Sequence, residues 1–199
     1  MMGKRYLPAI LAAARQALRD EFAENTDAEF PEDELAVYAG KVLIKISERS
    51  PRGVVETLDS DGTKEIDLSD SDNVAGDLIG DRVLKVEYPV DNDPPTFEGF
   101  TIFGDTLRIT HTTPTSGEDV NLYCQEVHVI TGSSSSLTPS MEEVLIDGVV
   151  SLAATAFLNK YRDQIVPSSI QMYQAWADRR TLAYQSGLDD ISDRKTWQF

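Results

Sequence analysis

The spacing of the apolar residues changes twice along the 199-residue chain, and this change most limits what the chain can fold into. In residues 6–50 and again in 138–187, apolar side chains recur every three or four positions, which is typical of helices with one buried face. Between residues 53 and 130 they recur every second position, which is typical of strands. The order predicts two helices, an antiparallel β segment and two more helices, an α+β fold.

Four helices are predicted, and residues that favour helix termini mark their ends. The first covers 6–23, and its apolar stripe consists of Leu7, Leu11, Ala14 and Leu18. The second begins at Pro31, because a proline in the first turn lacks only an N–H that would be unpaired there. Thr138 is the predicted N-cap of the third helix. The fourth begins at Pro167, and Gly187 predicts its end.

The β segment is predicted to contain about five or six strands joined by turns. Residues 54–58 and 64–68 flank the turn sequence DSDG at 59–62 and predict a hairpin. Residues 69–81 resemble a loop, and 82–88 a strand. Gly104-Asp105 between 97–103 and 106–110 predicts a second hairpin, with a two-residue turn. The longest predicted strand covers 120–130.

This order predicts three parts of the chain with different roles. Residues 1–52 and 137–187 are expected to form one helical bundle. Residues 53–130 form the antiparallel β insertion, and 188–199 form an extended C-terminal interaction tail. Terminal residues fray unless a partner holds them. Trp197 and Phe199 are therefore expected either to anchor on another chain or to cover their own bundle.

The charge distribution excludes a protein that binds nucleic acid over its whole surface. The chain has 18 Lys and Arg against 34 Asp and Glu, a net charge of −16, and residues 51–130 alone carry −12. Attraction to phosphate needs clustered cations. The most apolar N-terminal run, 6–18, is broken by Arg15 and Gln16. It predicts an amphipathic helix that does not associate with a membrane.

Two patterns contain residue types that bind metals, and neither predicts a cofactor. Cys124 and His128 would lie on one face of a strand, with His111 as a third ligand; the alternative is a half-buried thiol and two surface imidazoles. A string of acidic residues has the oxygen ligands that a calcium site needs. It consists of Asp59, Asp61, Glu65, Asp67, Asp70 and Asp72. An EF-hand loop needs its glycine later than Gly62, so a solvated hairpin tip is favoured.

No pattern of catalytic residues predicts an enzyme. The sequence contains no GxxxxGK[ST], GxGxxG, GxSxG or HExxH motif. Cys124 and His128 lack a recognisable orienting group or oxyanion donor. Seventeen acids in eighty residues make some carboxylate pairs inevitable, so a glycosidase or a cation-dependent hydrolase is only a third hypothesis.

The order of helices, β segment and linker along the chain resembles that of a known protein family. Two helices with PEDE at 31–34 precede a β segment containing LKVEYPVDNDPP, GDTLRIT and DVNLYCQEVH. A serine-rich link then leads to LTPSMEEVLIDGVVSLAATAFLNKY. Over residues 1–187 this order is similar to the head-to-tail adaptor (connector) proteins of tailed bacteriophages, which bind beneath the portal.

The resemblance implies a structural virion protein at the head–tail junction, assembled in the host cytoplasm. It implies a homo-oligomeric ring, commonly twelve-fold, that binds the portal and a tail or stopper protein. Double-stranded DNA would pass through the lumen without specific binding. Arg194, Lys195, Trp197 and Phe199 would dock on the portal, and the six acidic residues from Asp59 to Asp72 named above would face the lumen.

A binding module of a different class is the alternative to the ring protein. Its β segment would recognise a carbohydrate or a host surface through aromatic side chains. The aromatic residues expected to be exposed there are Tyr88, Phe97, Phe100 and Phe103.

Overall fold

A computed structural model of the chain describes residues 5–22, 30–69, 78–163, 165 and 167–193. These residues form two helices, seven strands and two further helices, which confirms the predicted α+β class and order. The helices are α1 (Leu7–Glu21), α2 (Glu32–Arg49), α3 (Pro139–Tyr161) and α4 (Pro167–Asp193). The chain divides into two compact units. The helical unit contains the described residues of Met1–Ser50 and His128–Thr196, and the β unit those of Pro51–Val127.

The four helices share one hydrophobic core with α3 at its centre. Leu11, Ala14 and Leu18 of the predicted stripe on α1 are buried. The cap of α3 is also as predicted, since the Thr138 hydroxyl accepts the N–H of Met141. Residues on every face of α3 are buried, as expected for a helix whose sequence is apolar on all sides.

The prediction that α4 ends at Gly187 is wrong, and so is the extended conformation expected for the first residues of the tail. The helix continues to Asp193, and Ile191 lies in the helical core. Gly187 serves close packing and not termination. A Cβ atom at this position would lie 2.5 Å from Cγ2 of Val144 in α3. Residues 194–199 of the predicted tail lie outside the described residues.

The strands of the β unit form two antiparallel sheets. A four-stranded sheet has the order β1 (Arg52–Asp59), β7 (Asp119–Glu126), β3 (Leu78–Glu87) and β4 (Phe97–Glu98). A three-stranded sheet has the order β2 (Glu65–Asp67), β6 (Thr106–Ile109) and β5 (Phe100–Phe103). Apolar side chains from both sheets form one core.

The predicted hairpin of residues 54–58 and 64–68 is wrong. All eight residues of β1 pair with β7, from Arg52 opposite Glu126 to Asp59 opposite Asp119. The three-residue strand β2 pairs with β6 in the other sheet. The DSDG turn therefore carries the chain from one sheet to the other.

The second predicted hairpin is confirmed, but three strand limits differ from the prediction. Phe103 pairs with Thr106 across the turn, and Gly104 has a φ of +62°. This left-handed conformation favours glycine. The predicted strand 97–103 is interrupted at Gly99 into β4 and β5, which belong to different sheets. Strand β3 begins at 78, in the predicted loop, and β7 ends at 126.

None of the helices in the described part of the chain combines the length and apolar character needed to cross a bilayer.

Candidate functional site

Four of the six predicted acidic residues line one cleft in the β unit, with a volume of about 440 Å³. These residues, here called the acidic cleft, are Asp59, Asp61, Glu65 and Asp67. They come from the end of β1, the turn that follows it and β2. The other two predicted residues, Asp70 and Asp72, lie outside the described residues.

The turn that supports the cleft is held by its own side chains. The Asp61 carboxylate accepts hydrogen bonds from the backbone N–H and the hydroxyl of Thr63, at 2.8 and 2.7 Å. Gly62 has a φ of +87°, a conformation that glycine adopts without strain. The Thr63 hydrogen bonds lower the pKa of Asp61. Asp61 is therefore charged at neutral pH and contributes a fixed negative charge to the cleft.

A pair of carboxyl groups lies at the end of the β1–β7 ladder. Asp59 and Asp119 are directly opposite each other in register. The pKa of Asp119 is raised, mainly by a hydrogen bond with Asp59 and also by desolvation and by the charges of Asp59 and Asp91. Neighbouring carboxylates repel each other when both are ionised. The β unit therefore tolerates an unfavourable charge pair here.

Replacing Asp119 with asparagine should raise the melting temperature of the protein at pH 7. The folded-state pKa of Asp119 lies above its ordinary value of 3.8, so the pair stabilises the fold below pH 3.8 and loses that contribution as the pH rises through the raised pKa. The gain should therefore vanish at pH 3 or below. Thermal melts across pH 2.5–8 would test this.

Asp61→Asn is the matched control for this prediction. The pKa of Asp61 is lowered, so its carboxylate stabilises the fold above pH 3.8 and loses that effect as the pH falls. This variant should melt at a lower temperature than the wild type at pH 7. An Asp119→Asn protein that melts lower at pH 7 would contradict the repulsion between Asp59 and Asp119.

Tyr88, expected to be an exposed aromatic residue, is buried in the core of the β unit. Its hydroxyl hydrogen bonds to the Glu118 carboxylate and accepts the backbone N–H of Thr115 at 3.1 Å. The bond from Tyr88 is the main reason that the pKa of Glu118 is lowered. Tyr88 therefore orders the loop before β7 and is not available to a ligand.

The outer face of the four-stranded sheet carries Phe97, which is exposed as predicted, beside Glu87, Asn121 and Tyr123, which the sequence did not single out. Glu87 accepts hydrogen bonds from the amide of Asn121 at 3.1 Å and the hydroxyl of Tyr123 at 2.7 Å. The Phe97 ring, 47% exposed, lies edge-on to Tyr123 with centroids 5.7 Å apart. Lys85 Nζ lies 4.8 Å from the Phe97 centroid. We call these residues the outer aromatic face.

Alternation within β7 could have identified this face from the sequence. Asn121 and Tyr123 alternate with Val120, Leu122 and Cys124, which are buried. Residues that alternate with a buried set must point to the opposite side of the sheet. The missing information was which strands lie beside β7, because that decides which side chains meet Asn121 and Tyr123.

The structure does not bring the candidate metal ligands Cys124 and His128 together, since Cys124 is buried in β7 and His128 lies beyond its end. Cys124 is fully buried in β7, and burial, followed by the charges of Glu56 and Glu126, raises the pKa of its thiol to about 12. The thiol therefore stays protonated at neutral pH and is a poor ligand or nucleophile. The strand ends before His128. Within the described residues, no group of three His, Cys, Asp or Glu side chains could hold a metal ion.

His128 instead connects segments of the helical unit. Its Nε2 lies 2.8 Å from the carbonyl oxygen of Ser50, and its Nδ1 lies 3.0 Å from Ser136 Oγ. Its backbone N–H donates to the Ser47 hydroxyl at 2.9 Å. His128 therefore joins the end of α2 to the chain where it returns to the helical unit.

The predicted portal-docking residues Arg194, Lys195, Trp197 and Phe199 lie outside the described residues. Comparison of the chain with models of protein families gives no match, and comparison with curated proteins gives none.

Proposed function

We propose that the chain is a structural subunit of a ring that joins a phage portal to the tail and lets the genome pass through its lumen. The observation that carries this proposal is the architecture. Both ends of the chain build one helical core, and an acid-rich antiparallel β unit is inserted between them. This is the arrangement that the resemblance to the adaptor proteins implies.

The surface of the helical unit supports a role in subunit packing. Several large apolar side chains on its helices are exposed, among them Val37, Ile44 and Leu182. A ring subunit needs two different faces that meet in each neighbouring pair of copies. Exposed apolar residues on the helices give such faces a source of binding energy.

The acidic cleft supports a lumen through which DNA passes without being bound. In this proposal Asp59, Asp61, Glu65 and Asp67, with Asp70 and Asp72, face the lumen. Strong DNA binding requires Lys and Arg side chains that neutralise phosphates. Ionised carboxylates repel phosphates, so a lumen lined with them would let the duplex slide.

A ring should form when the purified protein is mixed with its cognate portal. Native mass spectrometry should give a mass corresponding to many copies per portal, and electron-microscope class averages should show a ring beneath it. Free protein that remains monomeric would be compatible with assembly on the portal alone. A monomer that also fails to bind the portal would contradict the proposal.

Deleting residues 194–199 should leave the fold intact and weaken binding to the portal, because Trp197 and Phe199 are the proposed anchors. Loss of two aromatic anchors is expected to weaken binding at least about 100-fold. Circular dichroism melts and portal pull-down would measure the two effects. Deletion of 188–199 is not an equivalent test, because Ile191 belongs to the helical core and its loss should destabilise the unit.

Equal portal binding by the 194–199 deletion and by the full chain would exclude the tail as the docking segment. The variant Trp197→Ala, Phe199→Ala within the full chain is the matched control. It removes the two anchors and leaves the length and charge of the tail unchanged.

The outer aromatic face favours a second function, recognition of a carbohydrate. Phe97 and Tyr123 offer aromatic surface beside the amide of Asn121, whereas the Glu87 carboxylate is buried and holds Asn121 and Tyr123 in place. Sugar rings stack on aromatic faces and hydrogen bond to amide groups. Glycan-array binding that survives deletion of 194–199 and is lost in Tyr123→Ala would favour this function over the ring.

A further inference from the structure

A groove between α2 and α4 is an apolar surface with a cationic rim in an otherwise acidic protein. It has a volume of about 760 Å³. Its apolar lining includes Ile44, Leu152 and Leu188, and its cationic lining, here called its rim, consists of Lys41, Lys45 and Arg49. Ile44 is 52% exposed. We call this surface the α2–α4 groove.

The rim of the groove carries positive charge that the helical unit does not fully neutralise. Lys45 pairs with Glu48 at 2.8 Å, and Asp189 also lines the groove. Lys41 and Arg49 form no salt bridge with another described residue. The groove therefore suits an occupant with an apolar anchor and nearby acids.

The β5–β6 hairpin of the β unit has these two properties. Phe103 lies beside the turn and is 92% exposed, the highest exposure of any large apolar side chain in the described residues. Phe103, Thr106 and Asp67 are in register across β5, β6 and β2, so they share the outer face of the three-stranded sheet. Asp105 lies in the turn itself, whereas Glu65, two positions before Asp67 on the same face, is opposite Arg108 and adds no net negative charge there.

We propose that Phe103 of one copy inserts into the α2–α4 groove of a second copy, with Asp105 of the same turn facing Lys41 and Arg49. Exposed aromatic residues that fill a pocket on a partner contribute most to many interfaces. The β unit as a whole is acidic, since residues 51–130 carry a net charge of −12. Opposite charges on the two surfaces would orient the copies as they meet.

This contact is heterologous, and its consequence is a chain or ring of copies. Each copy carries one Phe103 and one groove, so the contact can repeat until the rotation between neighbours closes a ring. The inference rests on the proposed ring-forming function and names the surfaces that would form the ring. It needs no other protein to bring the copies together.

Two single variants and their mixture test the contact. Phe103→Ala keeps the groove but loses the anchor, and Ile44→Glu keeps the anchor but places a carboxylate in the groove. Each variant alone should self-associate at least about 30-fold more weakly than the wild type in sedimentation velocity. A 1:1 mixture should recover one contact and give a heterodimer that does not grow further.

The controls separate loss of contact from loss of fold. Met172→Glu places the same new charge on an exposed position of α4 outside the groove and should associate like the wild type. Circular dichroism should show that all variants are folded. As a second measurement, Thr101→Cys copies, which keep Phe103 two positions away on the same face, and Gln185→Cys copies, which keep Ile44 in the groove, should be joined by a bismaleimide cross-linker. Cys124 is fully buried and should not compete.

The outcomes distinguish this contact from the proposed function. Wild-type protein that stays monomeric up to about 1 mM would overturn the contact. A mixture that associates no better than its separate variants would also overturn it. Rings on the portal that form equally well with Phe103→Ala would overturn the contact and leave the proposed function standing. Heterodimers from a protein that never binds portal would support the contact and reject the proposed function.

Discussion

Replacing Phe22 with alanine should lower the free energy of unfolding of the helical unit by about 4 kcal/mol. The Phe22 ring is 1% exposed and lies at the end of α1. Its centroid is 4.6 Å from that of Tyr173 and 4.7 Å from that of Phe157. It also meets Trp176 edge-on at 5.7 Å. Removing it leaves a cavity among three helices and loses several aromatic contacts.

Urea titration followed by tryptophan fluorescence would measure this effect, because Trp176 is next to the deleted ring. The control is Phe103→Ala, which makes the same chemical change at an exposed ring of the β unit. It should change the free energy of unfolding by no more than about 0.5 kcal/mol. A Phe22→Ala loss below about 1 kcal/mol would contradict the packing described for α1.

Alanine at Gly148 and alanine at Gly40 should have opposite effects on stability, and the two variants should differ by about 3 kcal/mol. A Cβ atom at Gly148 in α3 would lie 2.7 Å from Cγ1 of Val42 and 2.9 Å from Cε2 of Tyr184. Inserting a methyl group there forces α2 or α4 away from α3. A Cβ atom at Gly40 in α2 would meet no heavy atom within 4 Å.

We expect Gly148→Ala to lower the free energy of unfolding by about 2 kcal/mol, and Gly40→Ala to raise it by up to about 1 kcal/mol, because alanine is the better helix former. Chemical denaturation of the two variants beside the wild type would measure both. Equal stabilisation by both alanines would show that α2 and α4 do not approach α3 closely at Gly148.

The helices could be predicted because their signals are local. The stripe on α1 and the Thr138 cap of α3 depend on residues a few positions apart, and both were confirmed. Gly187 misled the prediction for α4, because a glycine can end a helix or allow another helix to approach. Only the position of Val144 in α3 decides between these roles.

The positions of the strands were predicted more reliably than the pairs that they form. Alternation marks residues 54–58 as extended, but it carries no information about which strand they pair with. The chain connects β1 to β2, whereas the hydrogen bonds connect β1 to β7. Tyr88 shows the same limit for a single side chain. Its burial depends on Glu118 and Thr115, which are distant in sequence.

The composition of the candidate site was visible in the sequence, but its arrangement was not. The excess of acid in residues 51–130 could be counted, and four of the six named acids line one cleft. The repulsion between Asp59 and Asp119 arises only because β1 and β7 are paired in that register. The α2–α4 groove likewise requires two helices that are far apart in the chain.

The sequence by itself determined the α+β order, the apolar faces of the helices and the location of the negative charge. These properties follow from residue spacing and composition, which act over one or two turns of chain. Tertiary structure alone decided which strands pair, which glycines serve close packing, and which aromatic residues remain exposed. Those outcomes depend on contacts between distant segments, and their free energies are set by how the surfaces fit together.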